Sequence, residues 1–411
     1  MINIMRQFLK VGFILPIGLI IPVAQAALVS EGHAAGAQCG GADVNNSGYE
    51  VGNCLTVGSG PTVAWLSVSP GTEVPLLPLV SGQSCGTGGI ANDGTILGQC
   101  MDGNDKQMGV KWNASTPTIS PVVLQPLSLL GLIIQTRSSA RMYNQNGAVI
   151  GDSISADETS TPVIWLPGSN TATQLAALSL LSTLANCGAV DVDDSIANGG
   201  RPNVLLACPN ANGTVTAKVA TATGLLNAYV TNARPVPAGY SYCSAVSINN
   251  AQQIAGTCHT LAPDLPRATF WRSMTDTGPA QTTGTFRNGS VALNNSGSVL
   301  VAYKDGADGR IRSAFWKPLT GALTLIPSLP GGAYSVGTVL ADDDTVIGVS
   351  DLGDGNHAGF YWTPSGGTVS AGFEGGGPDS ELNAISENGK YVAGSARNSA
   401  HVHDAVFMTI P

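Results

Sequence analysis

Apolar residues in this chain come in short runs cut by clusters of Gly, Asn and Asp, and almost never at the three- and four-residue spacing of an amphipathic helix. Such runs predict strands and tight turns, hence an all-β chain. One frame recurs along its whole length. Val44-Asn-Asn-Ser-Gly-Tyr-Glu-Val-Gly52 returns as Ile90-Ala-Asn-Asp-Gly-Thr-Ile-Leu-Gly98, and again as Ile248-Asn-Asn-Ala-Gln-Gln-Ile-Ala-Gly256 and Leu340-Ala-Asp-Asp-Asp-Thr-Val-Ile-Gly348. The turn column falls at 48, 94, 147, 199, 252, 297, 344 and 389, with the copy near 199 degenerate. Each frame reads as an apolar strand, a turn whose Gly or Asn supplies positive φ, and a second strand apolar on both faces.

An aromatic follows in every copy: Trp65, Trp112, Trp165, Tyr229, Trp271, Trp316, Trp362 and Phe407. It predicts the end of a third strand. A Leu-rich segment such as Leu76–Leu79 or Leu323–Leu329 then makes a fourth. Four strands in 45–53 residues is the size of a propeller blade. Sheets packed face to face around an axis also account for a second strand buried on both sides. The expected fold is therefore a single β-propeller of about eight four-stranded blades over residues 27–411. Seven blades, or a β-solenoid, are the alternatives.

The pattern Ile-Asn-x-x-Gly-x-Val-x-Gly-x-Ser followed by an Ala-Phe-Trp element resembles the HAF-repeat family of extracellular bacterial proteins. Ser313-Ala-Phe-Trp316, His357-Ala-Gly-Phe-Tyr-Trp362 and His403-Asp-Ala-Val-Phe407 carry the resemblance best. It covers essentially the whole chain after the N-terminal segment, and implies a secreted, propeller-like domain. The family is defined by its repeat and brings no catalytic residues with it.

Eight cysteines are an even number, which in an exported chain reads as a disulfide framework. The repeat narrows their pairing. Cys39 with Cys54, Cys85 with Cys100, Cys187 with Cys208 and Cys243 with Cys258 each straddle one turn symmetrically, which makes them cross-strand neighbours within disulfide reach. The same columns in other copies hold Ser138/Ser153, Ser335/Ser350 and Ser380/Ser395, with Asn288/Tyr303 as the mismatch. No Cys-x-x-Cys occurs, so zinc is not expected.

The N-terminus sets the compartment. Arg6 and Lys10 precede an apolar stretch from Val11 to Val23, and Ala24-Gln25-Ala26 supplies a small-x-small cleavage pattern. Residues 1–26 thus read as a signal peptide, too short and too interrupted by Pro16 and Pro22 to span a membrane. An extracellular or periplasmic, monomeric protein is expected, without a membrane span. Removing the segment leaves 16 basic against 27 acidic residues, a net charge of −11. Such a chain offers no basic footprint for nucleic acid, so the expected partner is a glycan or another protein.

Candidate chemistry is sparse. Gly82-Gln-Ser84-Cys-Gly86 matches a nucleophile elbow, but no strand-to-helix context surrounds Ser84. His401 and His403 are spaced to share a strand face as a metal pair, while His357 and His403 sit at a position where the repeat itself favours His. Acidic loops recur after the second strand, with Asp102 and Asp105, Asp305 and Asp308, and Asp351 and Asp354 as weak calcium candidates. None has an EF-hand ligand count, and ordinary Asp/Gly turns explain them. The glutamates, Glu31, Glu50, Glu73, Glu158, Glu374, Glu381 and Glu387, fall in no repeated column directed at the channel. The expected function is a non-catalytic recognition or scaffold module without a cofactor. The alternative is a polysaccharide hydrolase or lyase acting at the central channel. The last copy lacks its fourth strand, so Ala27-Leu-Val-Ser30 is expected to pair with the strand ending at Phe407 and close the ring.

Overall fold

A computed structural model describes residues 28–31, 37–56, 60–129, 132–133, 135–175, 187–195, 201–223, 228–260, 264–283 and 287–411. Among them there is no helix. The first blade is an antiparallel meander of Gln38–Val44, Glu50–Leu55, Thr62–Ser67 and Glu73–Pro75. Six sheets have four strands, and a seventh of eight strands is two such units joined by one parallel bridge, Thr216 to Cys243. These make eight blades. The first strands of blades 2 to 8 are Cys85–Ile90, Arg137–Tyr143, Gly188–Val192, Tyr242–Ile248, Arg287–Leu293, Ser335–Leu340 and Asp379–Ile385.

The ring closes as the sequence leads one to expect. Val29 pairs with Phe407 and Ser30 with Val406, so Val29–Ser30 is the outer strand of blade 8. Asn383 Nδ2 donates to Gly41 O at 2.9 Å across the same seam. Because an open sheet edge invites pairing with other chains, this two-residue strap covers the edge that blade 8 would otherwise present.

Every first strand carries a β-bulge at the same place, from Gly41/Asp43 in blade 1 to Leu382/Ala384 in blade 8. In blades 1, 2, 3, 5, 7 and 8 a glycine of the second strand faces the residue before the bulge and leaves no room for a side chain, whereas blades 4 and 6 hold Leu206 and Val301 there. A Cβ on Gly348 would lie 2.0 Å from Val336 O. The second strands are buried on both faces, as in Val149-Ile150-Gly151, and the tryptophans Trp165, Trp271 and Trp316 are sealed between blades.

All four expected disulfides are present: Cys39–Cys54, Cys85–Cys100, Cys187–Cys208 and Cys243–Cys258. Their Cα–Cα separations are 4.0–4.1 Å, and no cysteine is free among the described residues. Such bridges belong to a chain folded in an oxidising environment. Cys54 faces Cys39 on the first strand and Val63 on the third. It is only half-buried, lying next to the exposed strand end at Leu55, whereas Cys39 is buried. The blade 4 bridge departs from the strict cross-strand reading. Cys208 has Thr216 as its partner on the third strand, but Cys187 sits one residue before the strand Gly188–Val192. The ladder there ends at Gly188 with Ala207, and the disulfide alone continues it. This hairpin separates its cysteines by 21 positions, against 15 in the other three. Ser138 faces Ser153, Ser335 faces Ser350, and Asn288 faces Tyr303 in the equivalent columns.

Two further expectations fail locally. Ser380 faces Ala396, not Ser395, because the first turn of blade 8 is one residue longer: Ser386 N bonds Tyr391 O, where Ala341 N bonds Thr345 O in blade 7. Tyr229 opens the fourth strand of blade 4, Tyr229–Ala233, instead of ending the third. It pairs with Ala222, so a large ring from the neighbouring strand fills the core beside a small residue. Residues 1–26, read as a signal peptide, lie outside the described residues.

Candidate functional site

The turns that follow the first strands meet around the axis, and one side-chain column stitches them together. Asn46 N donates to Asn92 Oδ1, Asn92 N to Gln145 Oε1, Gln145 N to Asp194 Oδ1, and Asp194 N to Asn250 Oδ1. Asn250 N then bonds Asn295 Oδ1, and Asn295 N bonds Asp342 Oδ1. All six bonds span 2.6–2.9 Å. Blade 8 breaks the rule, because Asp342 N bonds the backbone carbonyl of Glu387 while Asn388 N returns to Asn46 Oδ1. The extra residue in that turn frees the Glu387 side chain, which reaches across to accept from Asn92 Nδ2 at 3.1 Å.

Turns of blades 3 to 8 line a polar axial cavity of about 210 Å³, with Asp194, Asp342 and Glu387 on its wall. Burial first, then the charges of Asp194 and Asp342, push the Glu387 carboxyl up to about 7, against donated bonds from Asn92 and Gln145. Glu387 therefore does occupy a repeated, axis-directed column, contrary to the sequence reading. The signal was its alignment with Asn46 and Asp342 two residues after the strand. Deeper in the ladder, Asp43 accepts from Ile90 N and Tyr143 Oη, and Asp191 accepts from Ile248 N and Ser247 Oγ; burial raises both carboxyls to about 6.

At the other end of the inner strands, a cleft of about 420 Å³ runs along blade 2 towards blade 3. Gln99, Ala140 and Arg141 also line a second, more open cavity of about 650 Å³ reaching Ala189 and Val190 of blade 4. Arg141 is the bulge residue of its strand. Its Nε is held by the buried Asp152, while its side chain stays 52% exposed, which leaves the guanidinium edge available. Gln99 Nε2 donates to Ala140 O, and its Oε1 is buried without a donor among the described residues. Sequence reasoning missed both residues, because neither belongs to a motif. Of the cystines, Cys85–Cys100 forms part of the cleft wall, whereas Cys39–Cys54, Cys187–Cys208 and Cys243–Cys258 line neither cavity and brace their own hairpins.

Ser84 lies in this cleft, where its Oγ accepts from Thr62 N at 3.1 Å and the next residue opens a strand. Among the described residues neither a base on its hydroxyl nor a helix accompanies it. The acidic loops sit between second and third strands, as expected. Asp102 caps Asn104 and Lys106 amides, Asp305 and Asp308 take Arg312, Asp351 accepts from Ala333 and Tyr334 amides, and Asp354 from Asn356. Asp105 adopts φ 57° in its turn. Among the described residues no three His, Cys, Asp or Glu side chains converge as a metal site. His401 lies in the turn preceding the strand His403–Thr409, so the two histidines do not share a strand face as proposed. His403 instead joins His357, Asp379 and Arg397 around a small hollow of about 90 Å³, with His357 Nε2 3.0 Å from Tyr334 Oη. No described helix is long and apolar enough to cross a membrane.

No family model and no curated protein matches the sequence. Solved structures do resemble the fold. The Dos1 propeller is 9% identical over 94% of this chain and 95% of its own, with a TM-score of 0.53. A puromycin-hydrolyzing peptidase of Mycobacterium tuberculosis is 13% identical over 84% of this chain (TM-score 0.53), and a post-proline cleaving enzyme from Rickettsia typhi 10% over 90% (TM-score 0.55). This chain spans about half of either peptidase's length, 53% and 56%. At such identities the likeness concerns the fold alone, and with eight radially packed blades and a strapped seam it establishes the chain as a β-propeller.

Proposed function

We propose that this propeller is a non-catalytic recognition module that binds a glycan in the cleft between blades 2 and 3. The observation that carries this reading is the orphaned Gln99 Oε1 where the two cavities meet. A buried acceptor without a donor is costly, and a ligand hydroxyl would satisfy it. Ser84, Gln107 and the exposed edge of Arg141 offer further polar contacts on the same walls. The reading needs no cofactor. It also carries the N-terminal segment as an export signal and the repeat as a member of the HAF class, giving an extracellular or periplasmic protein. Glycan-array retention combined with a reducing-end release assay tests it. Retention without product, weakened at least about tenfold in Gln99→Ala, is the expected result; no retention on any glycan would overturn it.

A second reading rests on Glu387. A carboxyl held near neutrality beside two other carboxylates in an axial cavity suits general acid–base work in a polysaccharide hydrolase or lyase. Product release in the same assay, abolished by Glu387→Gln, would favour it.

A further inference from the structure

Blade 1 departs from the repeat in one layer of its core. In five of the other seven blades a Val or Ile near the start of the second strand faces the tryptophan of the third: Ile96 with Trp112, Val149 with Trp165, Ile254 with Trp271, Val299 with Trp316 and Val346 with Trp362; blades 4 and 8 keep the layer apolar with Val204 opposite Ala220 and Val392 opposite Met408. In blade 1 that pair is Glu50 with Ser67. Where those five blades seat an indole, Ser67 offers a hydroxyl, and it donates to Glu31 Oε2 at 2.8 Å. Gly71 N donates to the same oxygen at 2.9 Å, while Glu31 N bonds Ala405 O at 3.1 Å. Glu31, the residue after the strap, thereby ties the first blade to the last.

Glu31 and Glu50 are 2% and 1% exposed. Among the described residues neither oxygen of Glu50 meets an N–H or hydroxyl donor, nor does Glu31 Oε1, and the two carboxyls converge on Ser67, which faces Glu50 across the strands and bonds Glu31. Among the described residues no ion pair reaches either side chain. Glu73, opposite Ser67 on the outer strand, adds a third negative charge. Val44 flanks Glu50 on the inner strand, and blade 8 presents Ala393 and Gly394 near it, with Lys390 stacked on Tyr391 at the neighbouring turn. Two carboxylates cannot both stay ionised in such a place without a cation. We propose that Glu31 and Glu50 share one proton, and that this carboxyl–carboxylate hydrogen bond is a pH-sensitive latch holding the closing strap.

Burial, then the charge of Glu31 and its hydrogen bond, then the charge of Glu73, hold the Glu50 carboxyl well above its usual range. The closed form thus keeps a proton that the opened, hydrated seam has already lost. Closure is strongest at low pH and weakens as pH rises through the raised value of the closed form. Hydrogen exchange of the Glu31 amide in the full chain, corrected for its intrinsic pH dependence, reads the latch locally. This matters because Asp43 and Asp191 also titrate within the fold. Protection should fall about tenfold or more between pH 5 and pH 9 in the wild type, and stay level in Glu50→Gln. Should that variant fail to fold, Glu31→Gln is read in the same way. Equal pH dependence in variant and wild type, or none in the wild type, overturns the proposal. So does recovery of protection by millimolar calcium at pH 9, which would make the pair a cation site.

Discussion

The turn column shows how much one backbone dihedral constrains a residue. Gly48, Gly94, Gly147, Gly297 and Gly389 all take φ between 74° and 85°, which glycine adopts freely. Blade 5 has Gln252 in that column at φ 60° and blade 7 has Asp344 at φ 72°. Asp344 is compensated by Lys317 Nζ at 3.1 Å and by Asn294. Gln252 makes no side-chain bond among the described residues, so its left-handed backbone is uncompensated. Gln252→Gly should therefore stabilise the protein by about 1 kcal/mol, read as an upward shift of the denaturant midpoint at unchanged slope. A loss of stability would mean that the side chain packs favourably enough to offset its strain.

At the scale of the hairpin, four blades are cross-linked and four are not. Serine pairs in blades 3 and 7 occupy the cystine columns without disturbing the register, so the geometry does not depend on the bridge. Replacing Cys243 and Cys258 together by serine should keep the fold and cost about 3 kcal/mol, the chain-entropy value for a loop of this size. Retained near-UV dichroism with a lowered melting temperature is the expected signature. The repeat made these pairings legible, because a hairpin places residues symmetric about a turn opposite one another. Even Cys187 and Cys208 obey that symmetry, although their longer hairpin leaves Cys187 just outside the ladder. The repeat misled at Ser380/Ser395, where a single inserted residue shifts one arm, and at Tyr229, whose ring reaches the core from a different strand. The axial place of Glu387 follows from the same inserted residue. Gln99, Arg141 and the Glu31–Glu50 pair were illegible for another reason: each becomes a site only where separate blades meet.

Across the whole molecule, the seam is where the two ends of the blade series meet. Val29 and Phe407 are 378 positions apart, yet their pairing completes the ladder of blade 8. Deleting residues 27–34 should lower the melting temperature and expose the Phe407 strand as an edge, detectable as concentration-dependent oligomers in light scattering. A truncated protein that melts unchanged and stays monomeric would show that the strap contributes nothing.

The strap also has a consequence for how molecules meet while folding. It carries two ladder pairs and can find its partner strand only after blade 8 exists. Until then, the Val29–Ser30 strap of a neighbouring molecule fits the vacant edge as well as the chain's own. Reciprocal exchange would lock two rings into a domain-swapped dimer, and head-to-tail exchange would run on as an open filament. Crowded refolding should therefore populate such species, and dilute refolding should not. Once formed, they would part only when the eighth blade unfolds, so the population would record how concentrated the chains were when the rings closed.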